Sequence, residues 1–156
     1  MTDYENLRFT WHESDSYKGI EPAPQVYGVC FTNEGKVVIV REPGKYWNIP
    51  GGKPESGETP EQTLRREMLE EVSVFVGQMS MIGYYEVTNG VRLFQLRFAA
   101  QIIEILPPQR DPATNAVNER KFVSPEEFFY FVEIPDYRPM FDRAISWYNK
   151  TQHTKR

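Results

Sequence analysis

Residues 51–74 read GGKPESGETPEQTLRREMLEEVSV, and this stretch decides how the whole chain is interpreted. Six glutamates (Glu55, Glu58, Glu61, Glu67, Glu70, Glu71) stand here against Lys53, Arg65 and Arg66, behind a Gly51-Gly52 turn. Thr59 is a good helix N-cap, Pro60 suits the first helical position, and Gln62 completes a capping box. A helix continued from there at about 100° per residue places Leu64, Met68 and Val72 on one apolar stripe, with Leu69 at its margin. Glu67, Glu70 and Glu71 then share a neighbouring stripe, because residues three and four apart meet on a helix surface. Three carboxylates so close repel one another unless a cation sits among them. Hard divalent ions with all-oxygen ligands, above all Mg²⁺, suit that demand.

A solvated acidic helix face would account for a lone EExxE pattern. It gives no reason for Gly51-Gly52 upstream, for Glu58 before the cap, or for Arg66 beside the triplet. Taken together, Gly52, five residues, Glu58, seven residues and then REMLEEVSV over 66–74 resemble the signature of the Nudix hydrolase superfamily. That signature is G-x5-E-x7-R-E-U-x-E-E-x-G-U, with U a bulky aliphatic residue. Every specified position matches except Ser73, which stands where the family has glycine. Glycine there eases a left-handed turn at a helix end, and serine adopts it at a cost of roughly 1 kcal/mol. The resemblance covers roughly residues 26–148, and its diagnostic part is 51–74.

The remaining sequence is that of one ordinary domain. Its 156 residues, 40% of them hydrophobic and 14% aromatic, suffice for a core. The single cysteine, Cys30, lies in the apolar run VYGVCF, which excludes an internal disulfide and fits a reducing compartment. Residues 1–20 lack the pattern of a signal peptide, and no apolar run suits a bilayer span, so the reading is cytoplasmic with no membrane partner. Residues 54–74 alone carry a net charge as large as the whole chain's −4, which argues against a nucleic acid polymer as partner.

Along the chain, 1–24 reads as an N-terminal extension, with one strand over 7–11 and a Pro-stiffened entry at 21–24. A hairpin is expected from 26–31 and 37–41, a short strand at 47–50, and a long hairpin from 79–88 and 91–106 around Asn89-Gly90. Residues 106–118, rich in proline and without periodicity, form a surface loop long enough to serve the site mouth. A strand over 120–123, a helix from Ser124 through about Val132, and a last helix from Pro139 follow. Met140 or Phe141, Ala144, Ile145 and Tyr148 would face inward from that helix. The domain is expected over 25–150, with 151–156 as a flexible basic tail.

Paired strands with helices at 60–72 and 139–149 point to an α+β fold. The resemblance implies the corresponding αβα sandwich, a mixed sheet between helical layers. It also implies a Mg²⁺-dependent enzyme, with Mn²⁺ as a substitute, hydrolysing the pyrophosphate bond of a nucleoside diphosphate linked to another group. A compact mutator-type (MutT-like) nucleoside triphosphatase is the leading form, and the substrate is a small nucleotide. A nucleotide sugar or dinucleotide is the alternative, since residues 1–24 leave room for a homodimer. A nucleotide-sensing module without turnover is the alternative of another class. Against it, no charge is lost at 67, 70 or 71.

Carried over residue by residue, the resemblance makes Glu67, Glu70, Glu71 and the Gly51 carbonyl the metal ligands. Gly52 admits close approach of backbone, Arg66 orients Glu70 or Glu58, and Glu58 is a structural partner near the cap. The general base is open between a box glutamate and Glu119. Arg41 and Lys53 are candidate phosphate contacts. Tyr27, Trp47, Tyr84, Tyr85 and Phe94 are candidate stacking partners, none preferred, because aromatics at strand spacing are commonly core.

Overall fold

The computed structural model describes residues 7–20 and 25–154. Seven strands form one sheet: β1 (Arg8–Glu13), β2 (Gln25–Phe31), β3 (Val37–Arg41), β4 (Gly51–Gly52), β5 (Val74–Thr88), β6 (Arg92–Ile105) and β7 (Glu119–Val123). Their order is β1-β5-β6-β2-β3-β7, with β4 paired to β2. The β2–β6 pair is parallel and the others antiparallel, so the sheet is mixed.

Helix α1 (Pro60–Val72) lies on one face of the sheet. Its Leu64, Met68 and Val72 are buried against Val26, Cys30, Val38, Leu96 and Phe98, as the periodicity requires. Burial of each such large side chain contributes about 1.5–3 kcal/mol. Helix α2 (Phe128–Phe131) and helix α3 (Arg138–Thr154) cover the other face, where Met140, Phe141 and Ala144 meet Val29, Phe31 and Ile39. Helices on both faces of a mixed sheet make the expected α+β sandwich. Cys30 is fully buried, and burial pushes its thiol pKa up, so it is an inert core group. No helix among the described residues is long and apolar enough to cross a membrane.

Four boundaries differ from expectation, each for a local reason. β5 starts at Val74 rather than 79, because Ser73 turns the chain directly from α1 into the sheet. Register shifts at Phe75/Val76 and Val76/Met79 break the alternation that would have marked those residues as strand. The strand expected over 47–50 shrinks to one bridge, Asn48 to Val40, ahead of β4. Ser124 and Glu127 bond to each other as cap partners, yet only Phe128–Phe131 is helical. Finally, α3 continues to Thr154 and buries Thr151, so 151–154 extends a helix instead of forming the flexible tail. The Pro-stiffened entry at 21–24 and the end of the tail at 155–156 lie outside the described residues.

Candidate functional site

Thr59 and Gln62 form the capping box at the start of α1, with Gln62 N–H on Thr59 Oγ1 at 3.2 Å and Thr59 N–H on Gln62 Oε1 at 2.9 Å. This fixes where the helix begins and thus the direction of each glutamate. Arg66 then gathers the acidic residues around it. Its Nε donates to Glu58 Oε2 at 2.7 Å and its Nη2 to Glu58 Oε1 at 3.1 Å, a two-pronged pair. Arg66 Nη1 donates to Glu67 at 2.8 Å and to Glu70 at 3.1 Å, and Nη2 also reaches the Lys53 carbonyl at 2.9 Å. One guanidinium therefore holds three carboxylates and the loop after the glycines.

Glu58 also accepts from Thr63 Oγ1 and from Glu55 N–H. The Arg66 hydrogen bond, above all, pulls its pKa down from 4.5 to about 2. A depressed folded-state pKa stabilises the protein fully above the unfolded value, and that stability is lost as pH falls from about 4.5 toward 2. Glu58→Gln is expected to flatten the decline in melting temperature over that window. Melting curves of both proteins from pH 6 to pH 2, with equal acid slopes, would refute the pairing.

Glu71 lies deeper. Its Oε1 accepts from Gly51 N–H at 3.1 Å, and its carboxyl shares a hydrogen bond with Glu67. Burial, then this contact, pushes the pKa of Glu71 well up, and burial raises Glu67 too. Two buried carboxyls this close repel one another when both are charged, and a cation between them would relieve that. The glycines make the approach feasible. A Cβ at Gly52 would lie 2.6 Å from the Glu67 carboxylate, and one at Gly51 2.3 Å from the Val26 carbonyl oxygen.

The loop after β6 closes the site from the other side, and sequence reasoning had named no residue of it. Asp111 is 7% exposed, lines the same cleft and raises the Glu71 pKa by its charge. Its Oδ1 accepts from Ala113 N–H at 2.9 Å and its Oδ2 from Asn118 Nδ2 at 3.3 Å. Asn118 also donates to the Glu71 carbonyl at 3.2 Å. The available signal was slight: Asp111 is the lone acid between Glu104 and Glu119. The cleft so formed encloses ≈1010 Å³ and is lined by Tyr27, Lys53, Arg66, Glu67, Glu71 and Asp111 among others.

Arg41 lines the cleft, pairs with Glu119 and stacks on Trp47 at 4.5 Å. Glu119 itself is not among the cleft residues. It lies on the far side of Arg41, beside Trp47 and Lys121. Tyr85 is core, while Tyr84 packs on Phe94 and His12. Of the five stacking candidates, Tyr27 is the one at the cleft wall.

Behind it sits Arg97, 1% exposed, 4.5 Å from the Tyr27 ring and close to Tyr85 and Tyr137. Arg97 Nε and Nη1, Trp11 Nε1 and Gln25 Oε1 are buried without hydrogen-bond partners. All lie on two neighbouring register rows of the sheet. One runs Trp11–Tyr85–Gln95–Gln25, the other Gly83–Arg97–Tyr27–Gly51.

The donors fit a hard divalent cation in kind: all are carboxylate or backbone oxygens, and glycine backbone lies alongside. Arg66 occupies Glu67 and Glu70, and among the described residues no three His, Cys, Asp or Glu side chains converge as a ready ligand group. Arg66 engages one oxygen of each of these carboxylates, Oε1 of Glu67 and Oε2 of Glu70, and leaves the other oxygen of each to a cation.

A family model described as NUDIX domain matches residues 21–144. Over 60 residues, 35% of this chain, the sequence is 40% identical to an 8-oxo-dGTP diphosphatase of Proteus vulgaris, covering 54% of that protein. Over 47 residues, 30% of this chain, it is 45% identical to an RNA pyrophosphohydrolase of Pseudoalteromonas translucida, covering 27% of it. The chain thus matches about half or less of the length of these relatives. A NUDIX hydrolase structure from Nitrosomonas europaea superposes with a TM-score of 0.62 at 23% identity, over 84% of this chain and 90% of that one. At that identity the likeness speaks to the fold alone.

Proposed function

Because the chain belongs to the Nudix family, we propose that it hydrolyses a pyrophosphate bond in a small nucleotide with the help of a divalent cation, Mg²⁺ foremost. The observation that carries this reading is the meeting of Glu67, Glu70, Glu71, Gly51 and Asp111 around one open cleft, with Arg66 fixing three carboxylates nearby. Glu67, Glu70, Glu71 and the Gly51 carbonyl would hold the metal, which when bound neutralises phosphate charge and polarises the reacting oxygen.

The chain's own residues supply the rest. Arg66 holds the box carboxylates in register. Lys53 and Arg41 present cations at the cleft for the outer phosphates. Asp111, outside the proposed ligand set, lines the cleft and would take a proton from the attacking water, whereas Glu119 is engaged in holding Arg41. Tyr27 offers a stacking face for a nucleobase at the cleft wall. A nucleoside triphosphate or modified nucleotide, like the substrate in the name of the Proteus relative, is the favoured class.

The test pairs binding with turnover. At ~10 mM Mg²⁺ and a Kd of ~1 mM, the folded state gains ~1.4 kcal/mol, a rise of ~3–5 °C in melting temperature. Phosphate release should depend on Mg²⁺ in a screen of nucleoside triphosphates, oxidised nucleotides, nucleotide sugars and dinucleotides. An unshifted melting curve with no release from any of the four classes would overturn the reading. Release from nucleotide sugars or dinucleotides alone would reassign the substrate.

A further inference from the structure

The residue that departs from the family signature is tied to the loop that completes the site. Ser73 is 2% exposed and left-handed, with φ 56° and ψ 46°. Its N–H caps α1 on the Leu69 carbonyl at 3.1 Å, and its carbonyl accepts Leu106 N–H at 2.9 Å. Glycine would make both of these bonds. The third bond glycine lacks altogether: Ser73 Oγ accepts Gln109 N–H at 3.1 Å. Gln109 stands two residues before Asp111, and at the loop's far end Asn118 and Arg120 bind the Glu71 and Val72 carbonyls. Among the described residues the incoming limb of the loop has only the two Ser73 bonds to the helix end, and one of these exists because residue 73 is not glycine.

We infer that the Ser73 hydroxyl is a positioning group, which pins the incoming limb of the 106–118 loop and so holds Asp111 beside Glu71. This rests on the reading of Asp111 as part of the working site. Serine in a left-handed position is strained, whereas glycine adopts it freely. The strain is retained at a buried position together with a bond to the loop, which is the pattern of a residue kept for placement rather than for folding. Ser73 touches neither the cleft nor its carboxylates, so its action is indirect.

The experiment compares Ser73→Gly, Ser73→Ala and wild type, each also carrying Asp111→Asn. Ser73→Gly relieves the backbone strain, so its melting temperature should stay level or rise while turnover falls ~5- to 10-fold, a small misplacement of a reacting group. Ser73→Ala should lose similar turnover and also melt lower. Amide exchange at Gln109 should quicken at least ~10-fold in both, reporting the freed N–H. In the Asp111→Asn background, neither change should reduce turnover further.

Wild-type turnover in Ser73→Gly, with Asp111→Asn impaired, removes Ser73 and leaves the Asp111 reading standing. Full loss from Ser73→Gly persisting in the Asp111→Asn background shows that the hydroxyl does not act through Asp111, and overturns the inference. Wild-type turnover in Asp111→Asn alone overturns both the inference and the reading beneath it.

Discussion

Glu71→Gln is expected to reduce turnover at least ~10²-fold while leaving the melting temperature unchanged or higher. The magnitude is that of losing a charged metal ligand without loss of shape. The stability half follows from where Glu71 lies. It is pressed against Glu67, and burial together with that contact pushes its pKa up. A neutral amide of the same shape keeps an oxygen for Gly51 N–H and ends the repulsion. Turnover and folding thus move in opposite directions, a combination that a damaged core cannot produce. Glu119→Gln is the control, expected to stay within ~5-fold of wild type because Glu119 salt-bridges Arg41 outside the cleft. Near-wild-type turnover in Glu71→Gln at saturating Mg²⁺, or a 10²-fold loss in the control, would reverse the assignment.

Arg66→Met should be the most destabilising change in the site and should also disable it. The substitution preserves the apolar stem and removes hydrogen bonds to Glu58, Glu67, Glu70 and the Lys53 carbonyl. Three carboxylates then face one another without a cation. For half-buried groups this amounts to about 2–3 kcal/mol, below the range for a fully buried pair. In a chain of this size that lowers the melting temperature by ~5–10 °C. Turnover should fall ~10²-fold in parallel, since Glu67 and Glu70 lose the group that aims them. Arg66→Lys keeps the charge without the planar fork, and should recover part of the stability but little of the turnover. If Lys restores both, charge alone suffices and the forked geometry is irrelevant.

What the sequence made legible, and what it hid, follows from how far apart the interacting residues are. Arg66, Glu67, Glu70 and Glu71 sit on one helix, whose cap and period were readable, so their mutual arrangement came from local geometry. The link between Arg66 and Glu58 came instead from the family resemblance, since Glu58 stands before the cap, eight residues from Arg66. Asp111 and Asn118 were not legible, because the sheet and the end of α1 bring them in. Asn118 reaches Glu71 across 47 residues, and no periodic pattern in 106–118 encodes that. The partner of Glu119 was hidden for a similar reason: the antiparallel register of β3 and β7 sets it opposite Arg41, 78 residues away. The early start of β5 was concealed by bulges. The fold class, by contrast, needed only the count and kind of elements.

The strand order also governs how quickly such a molecule can assemble. Its local pairings are the β2–β3 and β5–β6 hairpins, with the short β4 return onto β2. The other contacts join distant parts of the chain: His12 meets Glu86 across 74 residues, and Arg41 meets Glu119 across 78. Closing loops of that length delays the reward of pairing, which places the protein among slow-folding topologies. The two walls of the cleft belong to different closures, α1 following the glycine turn and the 106–118 loop arriving with β7. The cleft is therefore complete only when both closures have been made, and a chain that has made one of them has α1's carboxylates without their covering loop.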